Sequence, residues 1–172
     1  VLSMYWIAED LVEKRVQEDK IPYDLWIEQG YIRTTPGNKV HAKYVTEWFK
    51  EVQDDLDIYP FAVGYDSWSA TYWVEDMKNT FGNIMIAVHQ GKKTLSSPMK
   101  SLGADLESKI INYNNNPIDK WCFANVSYEE DKNGNIQPCK TSKATRRIDG
   151  FASLLDAYVV LEDKKEEYES LI

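Results

Sequence analysis

Two aspartates and a run of cations carry the chemistry that this sequence could perform. Asp66 closes the apolar run FAVGYD and precedes SWSATYW, which reads as the start of a helix. Asp149 opens the last helical segment, RIDGFASLLDAY, directly after the basic run KTSKATRR at 140–147. Each acid has an ordinary local explanation. Asp and Ser satisfy the free N–H groups at a helix start, and an acid in the first turn is favoured by the helix dipole. As a pair they suggest more. Carboxylates that converge from a strand tip and a helix start supply the oxygen ligands that hard divalent cations require. Two such cations about 4 Å apart can activate a water and stabilise the leaving oxygen of a phosphodiester. A neighbouring basic run would neutralise the phosphate backbone.

The elements that must position these acids can be read from pattern. VLSMYWI reads as a strand, with Asp10 a candidate cap for the helix LVEKRVQED that follows. YDLWIEQG is a short helix closed by Gly30, YIRTT a short strand, and TPGN a turn. Val40, Tyr44, Trp48, Phe49, Val52 and Leu56 then fall at helical spacing, ended before Pro60. FAVGY and NIMIAVHQ have the length and apolarity of strands covered on both faces, separated by a helix that ends at Gly82. A helix starting at Ser97 and Pro98 is expected next, then an irregular stretch, then a hairpin in which DKNGN joins FANVSYE to IQPCK. The final helix begins near Ile148. Strand–helix alternation around two buried strands predicts an α/β sandwich with a mixed sheet. In open sheets of that kind ligands gather beyond the carboxyl ends of the strands, which is where Asp66 would lie.

With 172 residues, one domain with a real core is expected. Net charge is −8, which argues against a polyanionic partner until its distribution is considered. Residues 86–149 carry 10 basic and 7 acidic side chains and lie between two acidic parts. Lys92, Lys93, Lys100, Lys143, Arg146 and Arg147 are the candidates for phosphate contact; a solvated surface is the competing explanation. Cys122 and Cys139 form no CxxC and are expected as free thiols. The six Trp are expected in the core rather than as stacking platforms, and Asn125 as a buried hydrogen-bonding residue. No apolar run approaches the roughly 20 residues needed to span a bilayer, and the N-terminus has no basic region of the signal-peptide kind.

Taken in order, PYDLWIEQGYIRTTPGN, VGYDSWSAT, HQGKKTLSSPMKSL, NNNPIDKWCFANV with DKNGNIQPCK, and RRIDGFASLLDAY resemble the nuclease half of the large terminase subunits of tailed bacteriophages. That resemblance implies a ribonuclease H-like fold and acidic residues that bind two Mg²⁺ or Mn²⁺ ions. It implies an endonuclease that cuts concatemeric viral DNA during genome packaging in the host bacterial cytoplasm. Asp66 and Asp149 take the positions of two of the metal-binding acids. The implied partners are double-stranded DNA, an N-terminal ATPase domain, the small terminase subunit and the portal protein. Residues 1–172 would then form a single C-terminal nuclease-type domain, with the ATPase domain and the first, central strand absent. That strand carries the family's first metal-binding Asp. No GxxxxGK[ST] occurs, so packaging would need a separate motor. VHAKY, with His41, stands where similar sequences place an Asp. Without a central strand two sheet edges would be left open; they could re-pair, be filled by another chain, or leave a compromised fragment. Two further readings stay open: a non-catalytic terminase fragment or prophage remnant that keeps only docking surfaces, and another two-metal phosphodiesterase on the same fold.

Overall fold

The computed structural model of the chain describes residues 1–68, 71–141 and 145–172; Lys143 lies outside them. In chain order the elements are β1 (Tyr5–Ala8), a 3-10 turn (Glu9–Leu11), α1 (Val12–Asp19), α2 (Tyr23–Glu28) and β2 (Ile32–Thr35). Then come α3 (Lys43–Leu56), β3 (Val63–Asp66), α4 (Thr71–Phe81) and β4 (Met85–Val88). α5 (Lys92–Glu107), α6 (Pro117–Ala124), the hairpin β5 (Val126–Glu130) and β6 (Ile136–Lys140), and α7 (Asp149–Glu169) complete the chain.

The α/β alternation is present, but the strands do not join into one mixed sheet. Among the described residues β1 pairs with β2 in parallel, β3 with β4 in parallel, and β5 with β6 antiparallel, as three separate two-stranded sheets. β1 and β3 therefore each have a single strand partner, and the two parallel pairs have not closed on one another. α2 packs on β2, whereas α7 packs on both β3 and β4.

Two local differences from the sequence expectation matter for the site. α5 starts at Lys92 rather than at Ser97, which leaves Pro98 inside the helix. A proline there costs about 3 kcal/mol. The earlier start completes the buried stripe of Leu95 (2% exposed), Met99 and Leu102 (0%), and each such side chain is worth about 1.5–3 kcal/mol. Leu95 is the member that the earlier start adds, and its burial is of the same size as the cost of the proline. The stretch read as irregular also contains α6, with Pro117 in its first turn. The Asn116 side chain caps it, accepting from the Ile118 amide at 2.9 Å.

The core has two parts. Val88, Leu95, Met99, Leu102, Phe151, Leu155 and Val160 form one, between β4, α5 and α7. Tyr23, Trp26, Ile32, Ile118 and Cys122 form the other, under α2, β2 and α6. α7 packs on β3, β4, α5 and α6 and so ties the two parts together. Five of the Trp are in aromatic packing, as expected: Trp6 on Trp48, Trp26 on Trp121, and Trp73 on Phe49; Trp68, 86% exposed, departs from that expectation.

Candidate functional site

Asp149 is the first residue of α7, and the start of that helix is held from three sides. Asn125, 2% exposed, donates its amide Nδ2 to the Arg147 carbonyl at 3.0 Å. Its Oδ1 accepts from Arg146 Nη1 at 3.4 Å. Arg147 Nε donates to Asp19 Oδ2 at 3.0 Å, and the Asp19 side chain is only 2% exposed. Tyr23 Oη donates to the same oxygen at 2.8 Å. Arg147, expected to meet phosphate, therefore acts inside the fold as a strut between α1 and the approach to α7. Gly150 supplies the third contact: a Cβ there would run into Tyr5 Oη and come within 3.3 Å of Cys122 Sγ. Tyr5 in turn donates to Asp119, a buried carboxylate that also accepts from Ser3 Oγ at 2.7 Å.

The Asp149 side chain is exposed. It borders a groove of about 300 Å³ whose wall includes all four residues of β1, with Arg15, Lys39 and Arg147 as cations. Its charge is felt nearby. Burial pushes the Cys122 thiol up to about 11, with Asp149 and Asp119 adding to the rise. The Tyr5 phenol is raised by burial first and by its bond to Asp119 next, with Asp149 a further contributor.

Asp66 is the last residue of β3, half-buried, and stands opposite Val88 of β4. Its Oδ1 accepts from the Trp68 amide at 3.0 Å, a local turn at the strand tip. α7 crosses β3 at Gly64, where a Cβ would meet the Asp156 carbonyl oxygen at 2.6 Å and Val160 Cγ2 at 2.8 Å. Only glycine lets helix and strand approach this closely. The crossing brings Asp156 beside the tip of β3. Asp156 is 8% exposed and accepts from Gln90 Nε2 at 3.0 Å. Its carboxyl is pushed up to about 6, chiefly by burial; the Gln90 bond opposes the rise and the charge of Asp66 reinforces it.

Asp66 thus faces Asp156, a residue that the sequence reading did not single out. The available signal was spacing: Asp156 follows Asp149 by seven residues, which returns to the same helix face about 10 Å further along the axis. Asp66 and Asp149 are both tied to α7, at levels two turns apart. Among the described residues no three His, Cys, Asp or Glu side chains gather as a cation site. Asp66 and Asp149 are the hard oxygen donors that Mg²⁺ or Mn²⁺ favours, but a two-ion centre needs more ligands than the described residues bring together. The residues present do not by themselves fit a complete centre.

The remaining cations divide by use. Lys92 Nζ lies 3.7 Å from Glu129, and Lys100 Nζ donates to the Gly134 carbonyl at 2.9 Å, so both tie α5 to the hairpin. Lys93 and Arg146 are exposed. His41 is exposed ahead of α3, and Cys122 and Cys139 are free.

The sequence profile of the family "Terminase large subunit, endonuclease domain" matches residues 4–165, which includes both Asp66 and Asp149. The chain belongs to that family. It is 28% identical over 155 residues to the large terminase subunit of Enterobacteria phage HK97, covering 90% of this chain and 30% of that protein. It is 26% identical over 166 residues to protein YmfN of Escherichia coli strain K12, covering 91% of this chain and 35% of that protein. The crystal structure of the HK97 bacteriophage large terminase superposes with a TM-score of 0.79 at 26% identity, over 90% of this chain and 32% of that one. This terminase endonuclease domain therefore spans about a third of the length of the relatives that it matches.

Proposed function

We propose that this terminase domain is a metal-dependent DNA endonuclease that cuts concatemeric viral DNA during genome packaging. One observation carries the reading: the family match runs through both acids, and the fold holds them at a strand tip and a helix start, each with its own supporting contacts. Asp66 and Asp149 would ligate Mg²⁺ or Mn²⁺. Bound ions of that kind activate water and stabilise the leaving oxygen of a phosphodiester. Asn125, Asp19 and Gly150 fix the backbone that presents Asp149, while Gly64 fixes the level of Asp66 on α7. Lys93 and Arg146, the exposed cations, would meet the DNA backbone, with Lys143 beside Arg146 in sequence. Lys92 and Lys100 would join them only by leaving the hairpin, and Arg147 only by leaving Asp19.

The ligand set would be completed by a further strand bearing a carboxylate, seated between β1 and β3. The single-sided pairing of both strands among the described residues supports that completion. An ATPase domain, the small terminase subunit and the portal protein would be the packaging partners, in the host bacterial cytoplasm. Among the described residues no helix is long and apolar enough to cross a membrane.

A second reading has its own support. The absence of a three-residue ligand cluster among the described residues favours a non-catalytic fragment or prophage remnant that keeps docking surfaces. Plasmid nicking in Mn²⁺ separates the two. Any nicking by the chain is expected to disappear in both Asp66→Ala and Asp149→Ala. Nicking that survives either substitution removes that acid from the site. A chain that binds DNA without nicking it, in Mn²⁺ or Mg²⁺, favours the fragment.

A further inference from the structure

We propose that an acidic, partly apolar face at the far end of β3 from Asp66 docks a basic amphipathic helix of a partner protein. Phe61 stands two residues before β3, whose last residue is Asp66. It packs against Tyr168 of α7, with ring centroids 5.6 Å apart. Around that contact large apolar side chains stay in water. Ile58 is 52% exposed and Tyr59 67%. Both lie within three residues of Phe61, so no more than about 11 Å from it. On α7, Tyr168 is itself 46% exposed, and Leu161, 54% exposed, lies seven residues earlier on the same side of the helix. Single exposed apolar residues are ordinary, whereas four gathered about one aromatic contact mark an interaction surface.

The same face carries most of the net charge. Asp54 and Asp55 close α3, Asp57 follows them, and α7 adds Glu162, Asp163, Glu166, Glu167 and Glu169. Against these eight acids stand Lys164 and Lys165, so the face holds −6 of the chain's −8. Both lysines are used within α7, on Glu167 at 2.7 Å and on Glu169 at 3.9 Å. Among the described residues the other six acids have no ion-pair partner. Lys50, one turn before Asp54, leaves the sign unchanged. A face of this sign repels DNA, so its occupant is a protein and not the polyanion assigned to the rim. What fits is a helix with an apolar seam flanked by Lys or Arg: the seam covers the exposed tyrosines and aliphatic side chains, and the cations meet the surrounding acids. β3 puts about 10 Å of strand between Val63 and Asp66, so a partner seated here leaves the rim open to DNA.

The test is anisotropy of a short fluorescein-labelled helical peptide of Leu, Lys and Ala, either amphipathic or scrambled at the same composition, titrated with the 172-residue chain. The parent chain is expected to bind the amphipathic peptide about tenfold more tightly than the scrambled one. Ile58→Ser with Tyr59→Ser should remove the preference. Glu162→Gln with Asp163→Asn and Glu166→Gln should weaken binding about tenfold and flatten its dependence on salt. Glu9→Gln with Glu13→Gln and Asp24→Asn removes as many exposed acids from the part of the chain around α1 and α2 and should leave binding unchanged. Thermal unfolding should match the parent throughout; should the serine variant melt early, the α7 variant decides, since its three substitutions are on exposed side chains. A parent chain without the preference, a folded serine variant that keeps it, or a control variant that loses as much as the α7 variant overturns the proposal. Self-association in sedimentation that the serine variant abolishes, with peptide binding unchanged, gives the face to a second copy, and the proposal falls. No arm contains DNA or metal, so every one of these outcomes leaves the endonuclease reading standing.

Discussion

Asp156 offers the sharpest check on the crossing of α7 over β3. Its side chain is 8% exposed, and its carboxyl is pushed up to about 6 by burial first, with the charge of Asp66 adding to the rise against the Gln90 bond. The folded chain therefore holds this proton more tightly than the unfolded chain, in which an Asp titrates near 3.8. The contribution to stability is fully present below the unfolded value and is lost as pH rises through about 6. A rise of about two pKa units at about 1.4 kcal/mol each sets an upper size of about 3 kcal/mol. Asp156→Asn removes the charge and keeps an oxygen to accept from Gln90 Nε2. At pH 7.5 the variant should be more stable than the parent by about 1–3 kcal/mol, and near pH 4 the two should unfold almost together. Urea unfolding at both pH values measures the difference. Asp66→Asn in the parent should lower the Asp156 midpoint, because it removes the charge at the strand tip. An equal gap at pH 4 and pH 7.5, or a variant less stable at pH 7.5, would refute the placement of Asp156 as a buried acid beside Asp66.

Gly64→Ala places a methyl group against the Asp156 backbone, 2.6 Å from its carbonyl oxygen, so α7 must lift from β3. A loss of about 1–3 kcal/mol is expected by urea unfolding, and an unchanged midpoint would show that the contact is looser than described. Asp19→Asn takes the charge away from Arg147 and weakens the Tyr23 bond; it should cost about 1.5–3 kcal/mol in the same assay. Nicking should fall further than stability alone explains, because the approach to Asp149 loses a support. Affinity for intact linear duplex DNA should be weak, independent of sequence and steeply lower at higher salt, as measured by anisotropy across a salt series; a flat salt response would remove Lys93 and Arg146 as phosphate contacts. In thiol titration with an aromatic disulfide, Cys139 should react first, since Cys122 is 1% exposed and its thiol is pushed up to about 11 by burial.

The order of most strands and helices and the family were legible in the amino-acid sequence, and the two candidate acids stand where local pattern put them, at a strand end and a helix start. FAVGYD shows a buried strand ending in a carboxylate, RIDGF shows an acid in a first helical turn, and Gly30 and Gly82 mark where helices stop. α6 escaped because its cap, Asn116, sits in a run of asparagines that reads as loop. The start of α5 escaped because a proline rule was weighed without the burial of Leu95, which offsets it. What no local pattern could supply was which side chains meet. Arg147 turns inward because Asp19, 128 residues away in the chain, is buried beside it. Asp156 comes to Asp66 because a glycine in β3 allows a helix to lie directly on the strand. The sheet stays in separate pairs because pairing depends on what lies across each edge, and an edge has no signature in its own residues. Residue type and spacing settle what a segment can do; only packing between distant segments decides which charges are paired, which are buried and which remain for a ligand.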